Sequence, residues 1–479
     1  MNSNIEWIDN NQPRFIEISD KIWKFAELGL FEYKSSDLLI DILEQEGFTI
    51  ERGVASMPTA FIATFGTEKP VIALLGEYDA LPGLSQDKNP QKQPIEKDMP
   101  GHGCGHNLFG VACLAAVLAI KEKIINKELA GTVKFYGCPA EENANGKGWM
   151  VKGGLFEDVD ISLTWHPGDV NTVVSFNFQA IIDVLFKFQG RTAHAAADPF
   201  NGRSALDAVE LMNVGCNYLR EHIISDARLH YIITKGGKAP NIVPEEAEVW
   251  YFVRAPKFDQ VNDLYRRVLK VANGAALMTE TSFETMILGG ASNMLPNETL
   301  EDLLHKKMTE INIPEYTEEE ITFATEIRES FPENYFDNSL TVYPQEIREL
   351  SEQFREKPIC DIVYPIFGRG ITLGGSTDVG DVTWVTPTAQ FVTACSTFGT
   401  PGHSWQMVAN CGMSIGHKGM VYAAKVLASA TEELMKNSEL VKRVKQEFKE
   451  RIGKTPYESL IPEGSSPPIE HFRQIYENT

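Results

Sequence analysis

Apolar residues recur at helical spacing near the start of the chain: Ile5, Ile8, Phe15, Ile18, Ile22 and Phe25, then Leu38, Leu39, Ile42 and Leu43 before Gly47. This spacing predicts two helices over 5–47, with the glycine ending the second. Strand-like runs follow at 59–65 and 71–75, the second a continuous apolar stretch of the kind buried on both faces of a parallel sheet. A helix over 108–125, a strand over 131–138, a short helix over 145–153 and a strand over 159–165 continue the alternation. Together these predict an α/β fold: a mixed, largely parallel sheet flanked by helices.

The pattern then changes. Strand 174–188, helix 203–222, strands 228–235 and 244–254, helix 257–276 and strand 278–288 follow the order β-α-β-β-α-β, a ferredoxin-like α+β unit inserted into the first domain. The expected organisation is therefore a catalytic domain in two parts, 1–173 and 291–479, around an inserted domain at 174–290. Residues 298–313 read as a helix, whereas 314–370 mix acidic helical stretches with aromatic turns and stand as an extra segment. Glycine loops around 374–384, an apolar strand at 390–397 and helices over 415–435 and 438–451 complete the chain.

Composition narrows the class. Lys plus Arg number 44 against 66 Asp plus Glu, a formal charge of −22, which argues against nucleic acid or an anionic membrane surface as a partner. The seven cysteines form no Cys-x-x-Cys pair and are odd in number, as expected of a reducing compartment. The first residues lack a basic segment followed by an apolar one, and no apolar run approaches the ~20 residues that span a bilayer. A soluble, cytoplasmic protein is expected.

The chemistry concentrates in Gly101-His102-Gly103-Cys104-Gly105-His106-Asn107, with a thiol and an imidazole two residues apart. Both are good transition-metal donors. Ligands in open α/β sheets gather beyond the carboxyl ends of the strands, and Asp79, Glu141, Glu142 and His166 all fall at such ends, while His403 follows a later glycine turn. Cys104, His106, Glu142, His166 and His403 thus make five candidate ligands, more than the three protein ligands of a catalytic zinc site and enough for two metals if the thiolate bridges. Two such cations share a water, lower its pKa and clamp the oxyanion formed by attack at a carbonyl. In the Glu141-Glu142 pair, one carboxylate would bind metal and the other take the proton. His102 is read as shaping the loop, and His222, His230, His305, His417 and His471 receive no role. A cysteine nucleophile at Cys104 is the chemical rival, but it leaves His166, His403 and the glutamate pair unexplained. Walker, Rossmann, nucleophile-elbow and His-Glu-x-x-His motifs are all missing.

Tyr78-Asp79-Ala80-Leu81-Pro82, His102-Gly103-Cys104-Gly105-His106, Pro139-Ala140-Glu141-Glu142, Ala193-His194-Ala195-Ala196 and Ser376-Thr377-Asp378-Val379-Gly380-Asp381 together resemble the amidohydrolase branch of the co-catalytic metallopeptidases related to carboxypeptidase G, aminoacylase and hippurate hydrolase. Within it, Gly-His-Gly-Cys-Gly-His-Asn-Leu-Phe-Gly and Gly-Ser-Thr-Asp-Val-Gly-Asp-Val look most like the aminobenzoyl-glutamate utilization protein B group. The resemblance runs from about residue 75 to 405. It implies hydrolysis of an N-acyl amino acid, most of all p-aminobenzoyl-glutamate, with two divalent ions (Mn or Zn). A dipeptidase or deacylase of other specificity, or a subunit needing a paralogue for activity, is the alternative. Cys104 would bridge, Glu142 and His403 complete one site and His106 and His166 the other, with Asp79 supporting them from behind and Glu141 as general base. The inserted domain would act as lid and dimerisation unit, with His194 steadying the oxyanion in a partner subunit's site, and Asn241 and Arg254 binding the substrate carboxylate. A homodimer, or a hetero-oligomer with a paralogue, is the implied assembly. Asn107 stands where the wider family has an aspartate, and 314–370 would cap the site or form a subunit contact.

Overall fold

The computed structural model describes residues 3–341 and 343–477. Seven strands form a mixed sheet in the spatial order Thr49–Arg52, Phe61–Gly66, Thr132–Cys138, Val71–Glu77, Ile161–Gly168, Thr388–Ala394, Thr172–Val174. The four strands from Thr132–Cys138 to Thr388–Ala394 run parallel to one another, and antiparallel neighbours close both edges. Val71–Glu77 and Thr132–Cys138 are buried along their whole length, as strands covered by helices on both faces must be. The sheet's carboxyl edge therefore delivers four successive loops to one place.

Helix His106–Ile125 is the core of one face. It is apolar on every side and buried from His106 to Ile120, which requires cover all round. The sheet supplies one side, and helices Ser3–Phe25 and Ser414–Lys436 supply the rest. Among the described residues, no helix is long and apolar enough to cross a membrane.

Strands Ala180–Gln189, Arg228–Lys235, Glu246–Ala255 and Ser282–Ala291 form a separate antiparallel sheet, in spatial order fourth, first, third, second. Helices Ala205–Leu219 and Phe258–Thr279 pack on it through a core of their own that includes Val209, Met212, Val261 and Val268. Several elements differ from the sequence expectation. Thr49–Arg52 is an additional edge strand, Trp405–Cys411 and Ile469–Glu477 are additional helices, and the glycine-rich stretch before residue 385 ends in helix Val379–Val385. The extra segment contains helices Glu318–Glu329, Tyr335–Leu340 and Gln345–Ser351. It packs against the loop after Thr388–Ala394: Phe354 stacks on Phe398 at 4.7 Å, the Phe398 N–H donates to the Pro358 carbonyl, and Gln406 Nε2 donates to Ser330 Oγ.

Candidate metal centre

The donors reach the carboxyl edge from four places in the chain. Gly105 turns the chain into helix His106–Ile125 with φ +78°, and a Cβ there would lie 2.9 Å from Pro167 Cβ and 3.0 Å from Cys411 Sγ. Only glycine meets both demands, so Cys104 and His106 are held on either side of an obligatory glycine. Glu141 and Glu142 open the short helix Glu141–Ala144, entered through Ala140 at φ +59°. His166 lies inside strand Ile161–Gly168 rather than beyond its end. His403, at φ +52°, is tied by its N–H to the Gly103 carbonyl. Non-glycine residues rarely adopt positive φ, and such strain persists only where surrounding contacts impose it.

The donor atoms converge in two triads. One atom each from Cys104, His106 and His166 lie within 4.8 Å of one another, and so do atoms of Cys104, Glu142 and His403. Cys104 belongs to both. Its Sγ is 3.4 Å from His166 Nε2, and His403 Nε2 is 3.3 Å from Glu142 Oε2. Hydrogen bonds from behind orient the rings: His106 Nδ1 donates to Asp79 Oδ1 at 2.7 Å, and His166 Nδ1 to the Pro167 carbonyl at 2.6 Å. Each bond leaves the ring's Nε2 lone pair facing inward, the usual way a ligating histidine is fixed. Asp79 also accepts the Glu142 N–H at 3.0 Å, so one carboxylate sets both a histidine and a glutamate backbone.

The electrostatics suit cations. Glu141 is held far above the usual carboxylate range, first by burial and then by Glu77, Asp378 and Glu142. Burial likewise pushes the Cys104 thiol up and pulls His166 down to about 3. His106 Nε2 and Glu142 Oε1 are buried without a hydrogen-bond partner, although buried polar atoms are ordinarily satisfied. Soft thiolate, imidazole and carboxylate donors with free lone pairs fit a pair of divalent transition-metal ions.

The other sequence candidates lie differently. His102 is buried, its Nε2 bonded to the Ile22 carbonyl at 3.0 Å. Asn107 also points away from the donors, its Nδ2 donating to Ser19 Oγ and the Cys411 carbonyl at 3.1 Å each. An aspartate could not donate to that carbonyl. Arg254 is half-buried and donates through Nη1 to Ser376 Oγ at 2.8 Å. His194 and Asn241 are exposed on paired loops of the inserted unit. His194 Nδ1 accepts from the N–H groups of Ala196 and Ala197, and Asn241 accepts the Ala195 N–H. Those contacts stay within the inserted unit.

Three charged residues beside the donors went unassigned in the sequence. Glu77 Oε2 lies 3.1 Å from His106 Nε2, and Glu77, His106 and Glu141 form a third group within 4.8 Å. Glu77 is also bonded to the buried Lys147, which in turn bonds Asp378. Glu77 ends a strand, but its neighbour Asp79 carries the same signal, and nothing local marks Lys147.

Residues 73–478 match the family model described as Peptidase family M20/M25/M40. The B component of the p-aminobenzoyl-glutamate hydrolase of Escherichia coli (strain K12) is 44% identical over 470 residues, 96% of this chain and 97% of that protein. The A component of the same hydrolase from that organism is 30% identical over 253 residues, 50% of this chain and 57% of that protein. The crystal structure of an aminobenzoyl-glutamate utilization protein from Klebsiella pneumoniae shares the fold, with a TM-score of 0.59 at 19% identity over 90% of this chain and 98% of that one. With its donors gathered at the carboxyl edge of the sheet and the family match spanning most of its length, the chain belongs to peptidase family M20/M25/M40.

Proposed function

We propose that the chain hydrolyses the amide of an N-acyl amino acid, p-aminobenzoyl-glutamate above all, to release p-aminobenzoate and glutamate. The observation that carries this is the pair of donor triads sharing Cys104, with Glu141 beside them, in a chain so similar along its length to one component of a p-aminobenzoyl-glutamate hydrolase. Two divalent ions, manganese or zinc, held by Cys104, His106, Glu142, His166 and His403 would supply Lewis acidity, lowering the pKa of a shared water and polarising the scissile carbonyl. Glu141 takes the proton of the attacking water and passes it to the leaving amine. Asp79 keeps His106 and Glu142 in place. Arg254 and Asn241 bind the substrate carboxylate, and His194 donates to the developing oxyanion.

The exposed positions of His194 and Asn241 support their acting across an interface between two protomers, with the inserted unit as lid and dimerisation element. Strand Arg228–Lys235 lies at an edge of its sheet and exposes Ile232 and Ile233, while the neighbouring helix exposes Val214 and Tyr218. An open strand edge beside apolar side chains suits a second protomer of the same fold, either another copy or a paralogue like the 30% identical component of the Escherichia coli hydrolase. The compartment in this reading is the cytoplasm.

The test is release of p-aminobenzoate from p-aminobenzoyl-glutamate by the purified chain, alone and with a paralogous partner, in added manganese or zinc. Hippurate and simple dipeptides serve as competing substrates. Preference for the aroyl-glutamate supports the reading, and faster turnover of dipeptides overturns it.

A further inference from the structure

Lys147 is a fully buried ammonium that neither the donor set nor the general base explains. Its Nζ donates to Glu77 and, at 2.7 Å, to Asp378 Oδ1, while its backbone N–H donates to Asp378 Oδ2 at 2.9 Å. The two carboxylates lead in opposite directions. Glu77 reaches the donor cluster, 3.1 Å from His106. Asp378 follows the glycine loop whose Ser376 accepts the Arg254 hydrogen bond. One side chain therefore joins the donor cluster to the arginine of the inserted unit. The contacts span 70 and 231 residues of sequence, so they tie together segments that no local structure would align.

Burying such a trio is costly. Apolar residues of similar volume often replace buried ion pairs with no loss of stability, so the trio by itself is weak evidence for a stabilising role. Its placement offers another role, because a carboxylate-binding arm and a hydrolytic centre must be held at one separation for a given substrate.

We propose that Lys147 is a positioning residue, which by gripping Glu77 and Asp378 sets the distance between the donor cluster and the Ser376–Arg254 contact. This rests on the reading of Arg254 as the carboxylate-binding group. Displacing the arm by about 1 Å would cost on the order of a hundredfold in rate, and the loss would fall on substrates that use the carboxylate.

The test compares wild type with K147M, with E77Q alone, and with the neutralised triple variant E77Q/K147M/D378N, which leaves no buried charge unpaired if K147M fails to fold. Amide hydrogen exchange over 374–378, metal content by elemental analysis and kinetics are read on each. Expected for the triple variant are retained metal, exchange at least about tenfold faster in that loop, and a kcat/KM for p-aminobenzoyl-glutamate that falls about a hundredfold. Its α-carboxamide analogue should lose much less. Equal losses for both substrates, unchanged loop exchange, loss of metal, or an E77Q defect as large as the triple variant's would each overturn the proposal. A wild type inert toward p-aminobenzoyl-glutamate would instead refute the substrate reading, while loop exchange would still decide the role of Lys147.

Discussion

Asp79 Oδ1 accepts the His106 Nδ1 proton at 2.7 Å while its second oxygen accepts the Glu142 N–H at 3.0 Å. A single buried carboxylate thus orients donors from both triads. Asp79→Asn keeps the size but loses the charge that makes His106 a strong donor. Metal affinity should fall about 10- to 100-fold, measured by competition with a chromophoric chelator. Unchanged affinity would show that Asp79 serves packing alone.

Glu141 stands within 4.8 Å of Glu77 and His106 but belongs to neither triad that contains Cys104. Glu141→Gln should therefore keep full metal content and lose turnover by about 10²- to 10⁴-fold. Elemental analysis and steady-state kinetics on one preparation separate the two effects, and a variant short of metal would make Glu141 a ligand.

Arg254 presents a planar fork, with Nη1 already spent on Ser376. Arg254→Lys keeps the charge and loses the fork, so KM for the aroyl-glutamate should rise about tenfold or more. Little change in melting temperature is expected, since the residue is only half-buried. An unaltered KM would remove Arg254 from the substrate site.

A fourth expectation concerns pH and involves none of the donors. Burial would raise the carboxyl of Asp20, but the bonds from His417 and Lys88 outweigh it and hold the pKa at about 2, below the ordinary aspartate value. A depressed folded pKa stabilises above the unfolded value and loses that contribution as pH falls from about 4 to about 2. Asp20→Asn should cost about 1 kcal/mol at neutral pH, allowing for solvent screening. Urea melts should show the gap closing toward pH 2, and a gap independent of pH would assign the loss to packing.

The limits of sequence reading are visible in particular residues. The parallel core of the sheet was legible because Val71–Leu75 is an unbroken apolar run and strand-like stretches alternate with helical ones around it, and Cys104-x-His106 announces itself by residue type. Lys147 does not, since its partners lie 70 and 231 residues away and a lysine in a glycine-rich stretch reads as solvated. The positive φ of His403 depends on the Gly103 carbonyl and leaves no local trace. Helix Ile469–Glu477 did leave a local trace, with Ile469, Phe472, Ile475 and Tyr476 at helical spacing and turned to the core, but it is only nine residues long and follows a proline-rich stretch. The extra segment gave only acidic helical stretches and aromatic turns, because part of what anchors it is distant in sequence: Asn171 Nδ2 donates to the carbonyls of both Cys360 and Ile362.

The helix that begins at His106 carries a consequence for how the protein is made. Its covering helices lie far apart in the chain, Ser3–Phe25 before it and Ser414–Lys436 long after it. On the ribosome, the first cover is made before the helix, but the second exists only once residues 414–436 have been added. Until then a strongly apolar helix has one side bare, the condition in which nascent chains turn to chaperones or aggregate. Chains ending before residue 414 should accumulate as insoluble material, and the donors at the helix's first turn sit on a fully covered helix only once that second cover has been made.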